Sequence, residues 1–259
     1  MQRSALYTIL FATAICIVCA VVVSSAAVSL KERQVENATL DKQKNVLYAA
    51  GLLDPSETVT VAEVEKRFET VEMKVIDLET GREVSDIDPL TFDQKREATN
   101  PETSRAAPDN PSRIKRLPNH ALVYEVTGSG GELEAVVLPI EGYGLWGTLY
   151  GFLALESDFD TVLGITYYDH KETPGLGGLV DSLRWKAKWP GRKVYGQNGE
   201  PELTVIKGPA GPPSTDPYKV DGLSGATLTA RGVTNMVHFW LGVNGFEPYL
   251  ENLAQGRAS

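Results

Sequence analysis

Ser4 to Leu30 is an uninterrupted uncharged run, and from Ala5 to Val23 only Thr8 and Thr13 break its apolar character. A helix rises 1.5 Å per residue, so about 20 such residues cross a hydrocarbon core about 30 Å thick. The run predicts a membrane-spanning anchor over residues 1–30. A secretory signal peptide would share the basic start at Arg3 and the small residues Ser25, Ala26 and Ala27. Its apolar core is shorter, however, so a retained anchor is the expectation. Counting positive charges sets Arg3 and the terminal amine against Lys31 and Arg33, which orients the helix neither way.

Both cysteines of the chain, Cys16 and Cys19, fall inside this run. Three apart, they share a helix face, and without a second pair they read as small polarisable filling. The remaining chain then has neither disulfide nor thiol. His120, His170 and His238 lack the i, i+3 or i, i+4 partners of a metal-binding face, so no metal site is expected. A net charge of −9 argues against nucleic acid, because phosphate binding needs a lysine- and arginine-rich face.

Beyond the anchor, residues 31–51 read as a stalk helix, with Val35, Leu40, Val46 and Leu47 at loosely helical intervals and Gly51 as its stop. Residues 52–259 form the expected soluble domain. Thr60 and Glu63 fit a capping box opening a short helix through Glu69. Met73 to Leu78 and Glu83 to Val84 flank the turn Glu79, Thr80, Gly81 as a small hairpin would. Five prolines between Asp86 and Asn119 predict a long surface loop over residues 86–119.

Four apolar, β-branched runs follow: Ala121 to Thr127, Leu133 to Ile140, Thr148 to Leu155 and Val162 to Tyr168. The glycines at 128, 130 and 131 make the first two an antiparallel hairpin. Leu179 to Lys188 reads as a helix ended by Pro190, and Leu203 to Lys207 as a strand. A long helix from Ala226 to Leu241 and a short one from Glu247 to Leu253 close the chain. The fold class expected is α+β, a mostly antiparallel sheet flanked by helices.

The chemistry concentrates in Asp221, Gly222, Leu223, Ser224, Gly225, Ala226, Thr227, Leu228 and Thr229, where a turn meets the long helix. Small residues admit another molecule to the backbone, and the first amides of a helix are unpaired donors beside a partial positive charge. Such a terminus suits a phosphate. Ser224 is placed to cap the helix and Thr227 offers a hydroxyl in its first turn; a plain helix cap is the competing account. The run Glu172, Thr173, Pro174, Gly175, Leu176, Gly177, Gly178 reads as a tight loop with exposed backbone, or simply as a turn. Lys207, ending a strand before Gly208, is either a solvated lysine or a charge near a ligand. Trp185 and Trp189, four apart, read as core. Of Tyr167 and Tyr168, one faces inward.

Asp221 to Thr227 resembles the flavinylation signature of covalent FMN-binding domains in bacterial respiratory complexes: aspartate, two variable residues, serine or threonine, glycine, alanine, threonine. Gly144, Leu145, Trp146, Gly147, Tyr150 and Gly151, the Glu172 to Gly177 run, and Phe239, Trp240, Leu241, Gly242 are similar to the C-subunit family of sodium-translocating NADH:quinone oxidoreductases. The likeness covers essentially the whole chain.

The resemblance implies an electron-carrying flavoprotein in a bacterial inner membrane, single-pass, with its soluble domain in the periplasm. It implies FMN esterified through its phosphate to Thr227, within the motif Asp221, Ser224, Gly225 and Ala226. Thr173 and Leu176 would border the flavin ring and Lys207 would lie near it. The implied partners are the other subunits of the complex and a separate flavin transferase using FAD as donor. With no G-x-G-x-x-G fingerprint in the chain, NADH oxidation is expected elsewhere in the complex. The G-subunit family of the related Rnf electron-transport complex shares the motif and the plan, and a cofactor-free membrane-tethered scaffold is the alternative from another class.

Overall fold

The computed structural model describes residues 4–128 and 130–256; Arg3 and the C-terminal tripeptide lie outside them. The uncharged run forms the start of a single 45-residue helix, α1 (Ala5–Ala49), whose most apolar 18-residue window has a mean hydropathy of 2.7. Anchor and stalk are thus one continuous helix, long and apolar enough to cross a membrane. Gly51, at φ +71°, follows its end, where a left-handed residue closes a helix at least cost in glycine.

The chain divides into two compact units, Met1–Lys42 and Gln43–Ser259. The second begins nine residues before the expected boundary at 52 because the last turns of α1 are core: Val46, Leu47 and Ala49 are fully buried. The Thr166 hydroxyl donates to the Asn45 carbonyl at 3.0 Å.

In this unit Thr60 caps α2 (Val61–Phe68), its hydroxyl accepting from the Glu63 N–H at 3.3 Å. The Glu63 carboxylate does not complete a capping box; it pairs with Arg67 at 3.1 Å, one turn on. Strand β1 (Val71–Asp77) turns through Gly81 to a bridge between Ile76 and Glu83, the expected small hairpin. The segment 86–119 is not a plain loop. It holds α3 (Gln94–Thr99), capped by the Asp93 carboxylate on the N–H groups of Lys95 and Arg96, and the paired strands β2 (Ser104–Ala106) and β3 (Arg116–Pro118).

The four β-branched runs become β4 (His120–Thr127), β5 (Leu133–Tyr143), β6 (Thr148–Glu156) and β7 (Val162–Asp169), all antiparallel to their neighbours. With β1 they make a five-stranded sheet in the order β1-β4-β5-β6-β7. The helix expected over Leu179 to Lys188 is instead a 3-10 turn (Gly177–Asp181) and a single α turn, α4 (Leu183–Lys186). The extended Ser182, at ψ 124°, separates them. Trp185 and Trp189 are buried edge to face, as expected of core, and Tyr167 is the inward tyrosine. Of the strand expected over Leu203 to Lys207 only β8 (Thr204–Val205) forms, parallel to β9 (Lys219–Val220).

Helix α5 (Thr227–Trp240) lies on β5; α6 (Glu247–Ala254) follows. The approach of α5 is close: a Cβ at Gly232 would come within 2.5 Å of the Tyr143 carbonyl. At its other end the fully buried Trp240 donates its indole N–H to the Glu141 carbonyl at 2.7 Å. The last strand of the meander therefore leads into a loop beside the start of α5, and the sheet positions both.

One acid in this frame is a sensitive point. Asp158, in the β6–β7 turn, accepts from the Thr161 N–H and hydroxyl, the Asp160 N–H and Lys193. Partial burial alone would raise its carboxyl, but these donors outweigh it and hold the group well below the ordinary aspartate range. A depressed carboxyl stabilises the fold fully above the unfolded value of about 3.9, and that contribution disappears as the pH falls below it. The Asp158→Asn variant is expected to be less stable by about 1 kcal/mol near neutrality, allowing for solvent screening of a half-exposed group. In denaturant titrations that difference narrows progressively as the pH is lowered from about 4 to about 2; a gap independent of pH would contradict the assignment.

Candidate flavin site at the start of helix α5

The motif turn reverses at Ser224 and Gly225, and Gly225 has φ +70°, a conformation that a side chain disfavours. Ala226, not Ser224, occupies the N-cap position, with φ −131° and ψ 48°, and no side chain caps the helix. Ser224 is therefore not the cap expected from its place in the sequence: the left-handed glycine sets it two residues short, and it is exposed. The N–H groups of Thr227, Leu228 and Thr229 have no acceptor among the described residues, while the Ala230 N–H closes the first turn onto the Ala226 carbonyl at 3.0 Å. Thr227 is the first helical residue, and it is exposed.

Thr227, Ala230, Arg231 and Thr234, spaced i, i+3, i+4 and i+7, share one face of α5. That face lines a cavity of about 600 Å³ together with Lys207, Asp221, Gly222, Ser224 and Gly225. Five of the residues singled out from the sequence thus meet in one place. Lys207 and Arg231 are both exposed and have no carboxylate partner among the described residues, which leaves two free positive charges beside three free helix amides.

Asp221, which lines the cavity, also braces the turn. Its carboxylate accepts from the Ala210 N–H at 3.0 Å and stands 3.6 Å from the Lys188 ammonium; its carbonyl accepts from the Trp185 indole at 2.8 Å. Together with the Gly222 N–H to Gly208 carbonyl bond of 2.7 Å, these contacts fasten the motif turn to the loop that presents Lys207.

Thr173 and Leu176 do not line that cavity. Their loop approaches the motif from another side: Leu176 Cδ2 lies 2.9 Å from where a Cβ on Gly225 would stand. The Thr173 side chain is exposed, and its carbonyl accepts from the N–H groups of Leu176 and Gly178, closing the loop. Large apolar side chains stand in solvent in this region: Trp146 63 %, Leu176 46 %, Leu228 46 % and Leu145 40 % exposed. Trp146 and Leu145 sit in the β5–β6 connection, whose backbone binds Glu172. An apolar ledge, two cations and free helix amides around one hydroxyl suit an amphipathic anion with a flat ring.

Sequence reasoning left Arg231, Leu228 and the role of Glu172 unassigned. Arg231 was findable, because it stands four residues after Thr227 on a helix legible in the sequence. Nothing local in the sequence marks Glu172 as buried.

Residues 144–242 match the family model of the FMN-binding domain. The chain is 45 % identical over 261 residues to the C subunit of the Na(+)-translocating NADH-quinone reductase of Pseudomonas aeruginosa, covering 99 % of each chain. It is 44 % identical to the protein of that name from Yersinia pestis, covering 96 % of this chain and 93 % of the relative. Among solved structures, that of Shewanella oneidensis NqrC superposes with a TM-score of 0.76 at 36 % identity, over 82 % of this chain and 96 % of that one. The structure of the Parabacteroides distasonis protein of the same reductase gives 0.64 at 25 %, over 85 % and 96 %.

Proposed function

The chain belongs to the C-subunit family of Na(+)-translocating NADH-quinone reductases, and from that premise we propose that it holds its FMN as a phosphoester on Thr227. As a member of this family it is an FMN-carrying, electron-transferring subunit of that oxidoreductase, which decides against the Rnf alternative. The observation that carries the attachment proposal is the placement of Thr227: an exposed hydroxyl at the first position of an uncapped helix, with Lys207 and Arg231 in the adjoining cavity.

Bound FMN supplies one- and two-electron redox chemistry; the chain supplies position and local charge. Thr227, Leu228 and Thr229 would direct their N–H groups at the phosphate, and Lys207 and Arg231 would neutralise it. Leu176, Leu145, Trp146 and Leu228 would cover the ring and limit its contact with water.

No base is hydrogen-bonded to the Thr227 hydroxyl among the described residues, and a threonine hydroxyl does not ionise near neutral pH. Attachment therefore calls for an outside catalyst, a flavin transferase with FAD as donor. The Thr227 oxygen attacks the FMN-side phosphorus, the pyrophosphate bond breaks with loss of AMP, and the transferase takes the hydroxyl proton. The remaining partners in this proposal are the other subunits of the complex. Helix α1 anchors the chain by a single pass in the inner membrane, with the second unit in the periplasm.

The test is production with and without a flavin transferase, followed by a denaturing gel viewed for flavin fluorescence. A fluorescent band only with the transferase is the expected result; a colourless chain in both would contradict covalent attachment. Replacing Lys207 and Arg231 together by methionine is expected to slow attachment by about tenfold, since each exposed cation beside a phosphate contributes up to about 1 kcal/mol. An unchanged rate in a mass-spectrometric time course would remove both from the site.

A further inference from the structure

Resting on the proposed FMN attachment, we propose that Glu172 is a positioning residue: it holds three chain segments in fixed relation around Thr227 and so determines how the flavin is seated. Its loop is otherwise exposed from Lys171 to Leu176, yet Glu172 is only 5 % exposed. One carboxylate oxygen accepts from the N–H groups of both Leu145 and Trp146, each at 2.9 Å. The other accepts from the hydroxyl of Thr229, two residues after Thr227. Its own N–H donates to His170 Nδ1 at 3.2 Å. Space around the carboxylate is kept by two glycines: a Cβ at Gly144 would stand 2.6 Å from it, and one at Gly177 would strike both it and Thr229 Oγ1.

The three segments so joined are the β5–β6 connection, the loop 172–177 and the first turn of α5. Each presents exposed apolar side chains: Leu145 and Trp146, then Leu176, then Leu228. Side chains so exposed are not located by core packing. What fixes them is the backbone beneath, and in the β5–β6 connection that backbone is fastened to Glu172. Charge-assisted bonds to two adjacent amides and one hydroxyl make a stiff three-way joint. Removing the carboxylate frees two amides and a buried hydroxyl at once, since Thr229 is fully buried.

Glutamine preserves this joint. Its carbonyl oxygen accepts from both amides and its NH₂ donates to the Thr229 oxygen. The experiment compares wild type, Glu172→Ala, Glu172→Gln, Thr229→Val and Thr227→Ala as full-length chains in detergent. Three quantities are read: amide exchange at Leu145 and Trp146 before flavin is added, the rate of mass gain with transferase and FAD, and the visible circular dichroism of the attached flavin. Glu172→Ala is expected to lose protection at those two amides while the sheet keeps its own, to gain FMN about tenfold or more slowly, and to lose most of the dichroism. Glu172→Gln restores all three, and Thr229→Val shows the same changes in smaller degree.

The proposal is overturned if Glu172→Ala gains FMN at the wild-type rate with wild-type dichroism, or if Glu172→Gln is as impaired as alanine. Should the alanine variant not fold, Thr229→Val decides, and wild-type values there overturn the proposal. A wild-type chain that gains no mass sinks the attachment proposal and this one with it, an outcome distinct from a wild type that gains FMN beside an unimpaired Glu172→Ala.

Discussion

Thr227→Ala is expected to lose all covalent flavin, and Thr227→Ser to recover part of it. The alanine chain should fold normally, because Thr227 is exposed, its hydroxyl makes no hydrogen bond among the described residues, and alanine is favourable in a helix. Any change in stability stays within about 0.5 kcal/mol, as for surface substitutions away from special features. Serine offers the same nucleophilic oxygen without the β-methyl group that restricts its rotamer, so attachment continues more slowly. Valine, which keeps the shape of threonine and lacks the oxygen, behaves as alanine does. Intact mass separates the cases. A Thr227→Val chain still carrying FMN would move the attachment point to another hydroxyl, with Ser224, in the same turn, the first to examine.

Trp240→Ala is the substitution expected to cost the fold most. Trp240 is fully buried, its ring is stacked at 5.3 Å on Phe246 and edge-on at 5.7 Å to Phe239, and its indole N–H bonds the Glu141 carbonyl. Truncating a buried tryptophan costs about 3–5 kcal/mol, and the Glu141 carbonyl is left without its partner. Against a total stability of about 5–15 kcal/mol this is a large loss. Phenylalanine keeps most of the apolar area and forfeits the hydrogen bond, so Trp240→Phe is expected to lose about 1–2 kcal/mol. Denaturant titration of both variants in detergent gives the comparison. Equal losses would mean that the hydrogen bond, and not the packing, anchors this end of α5. The consequence for function is indirect: Trp240 pins the end of α5 remote from Thr227, so both variants should attach flavin wherever they remain folded.

Strands β4 to β7 are legible because each is long, β-branched and joined to the next by a short connection, so local pattern and final pairing agree. α5 was legible for a similar reason, its apolar positions recurring at helical spacing. The segment 86–119 was not, because its six-residue helix and three-residue strands are shorter than any period that identifies them; the Asp93 cap and pairing between Ser104 and Pro118 hold them instead. Leu179 to Lys188 reads as one helix because nothing in that sequence announces the extended Ser182. At the site, the contiguous motif could be read directly, although the conformation of Gly225 removed Ser224 from the cap. The meeting of Lys207 with Thr227 depends on the Asp221 and Gly222 bonds to the loop 208–210, which are tertiary contacts. Glu172 is the clearest case: its partners lie 26, 27 and 57 residues away.

The most direct test of the account digests the wild-type chain, produced with a flavin transferase, and locates the flavin by peptide mass. The account predicts one peptide, containing residue 227, heavier by one FMN less one water and fragmenting with the added mass on Thr227. An unmodified Thr227 peptide recovered in full, with flavin released on denaturation or found on another residue, would contradict it.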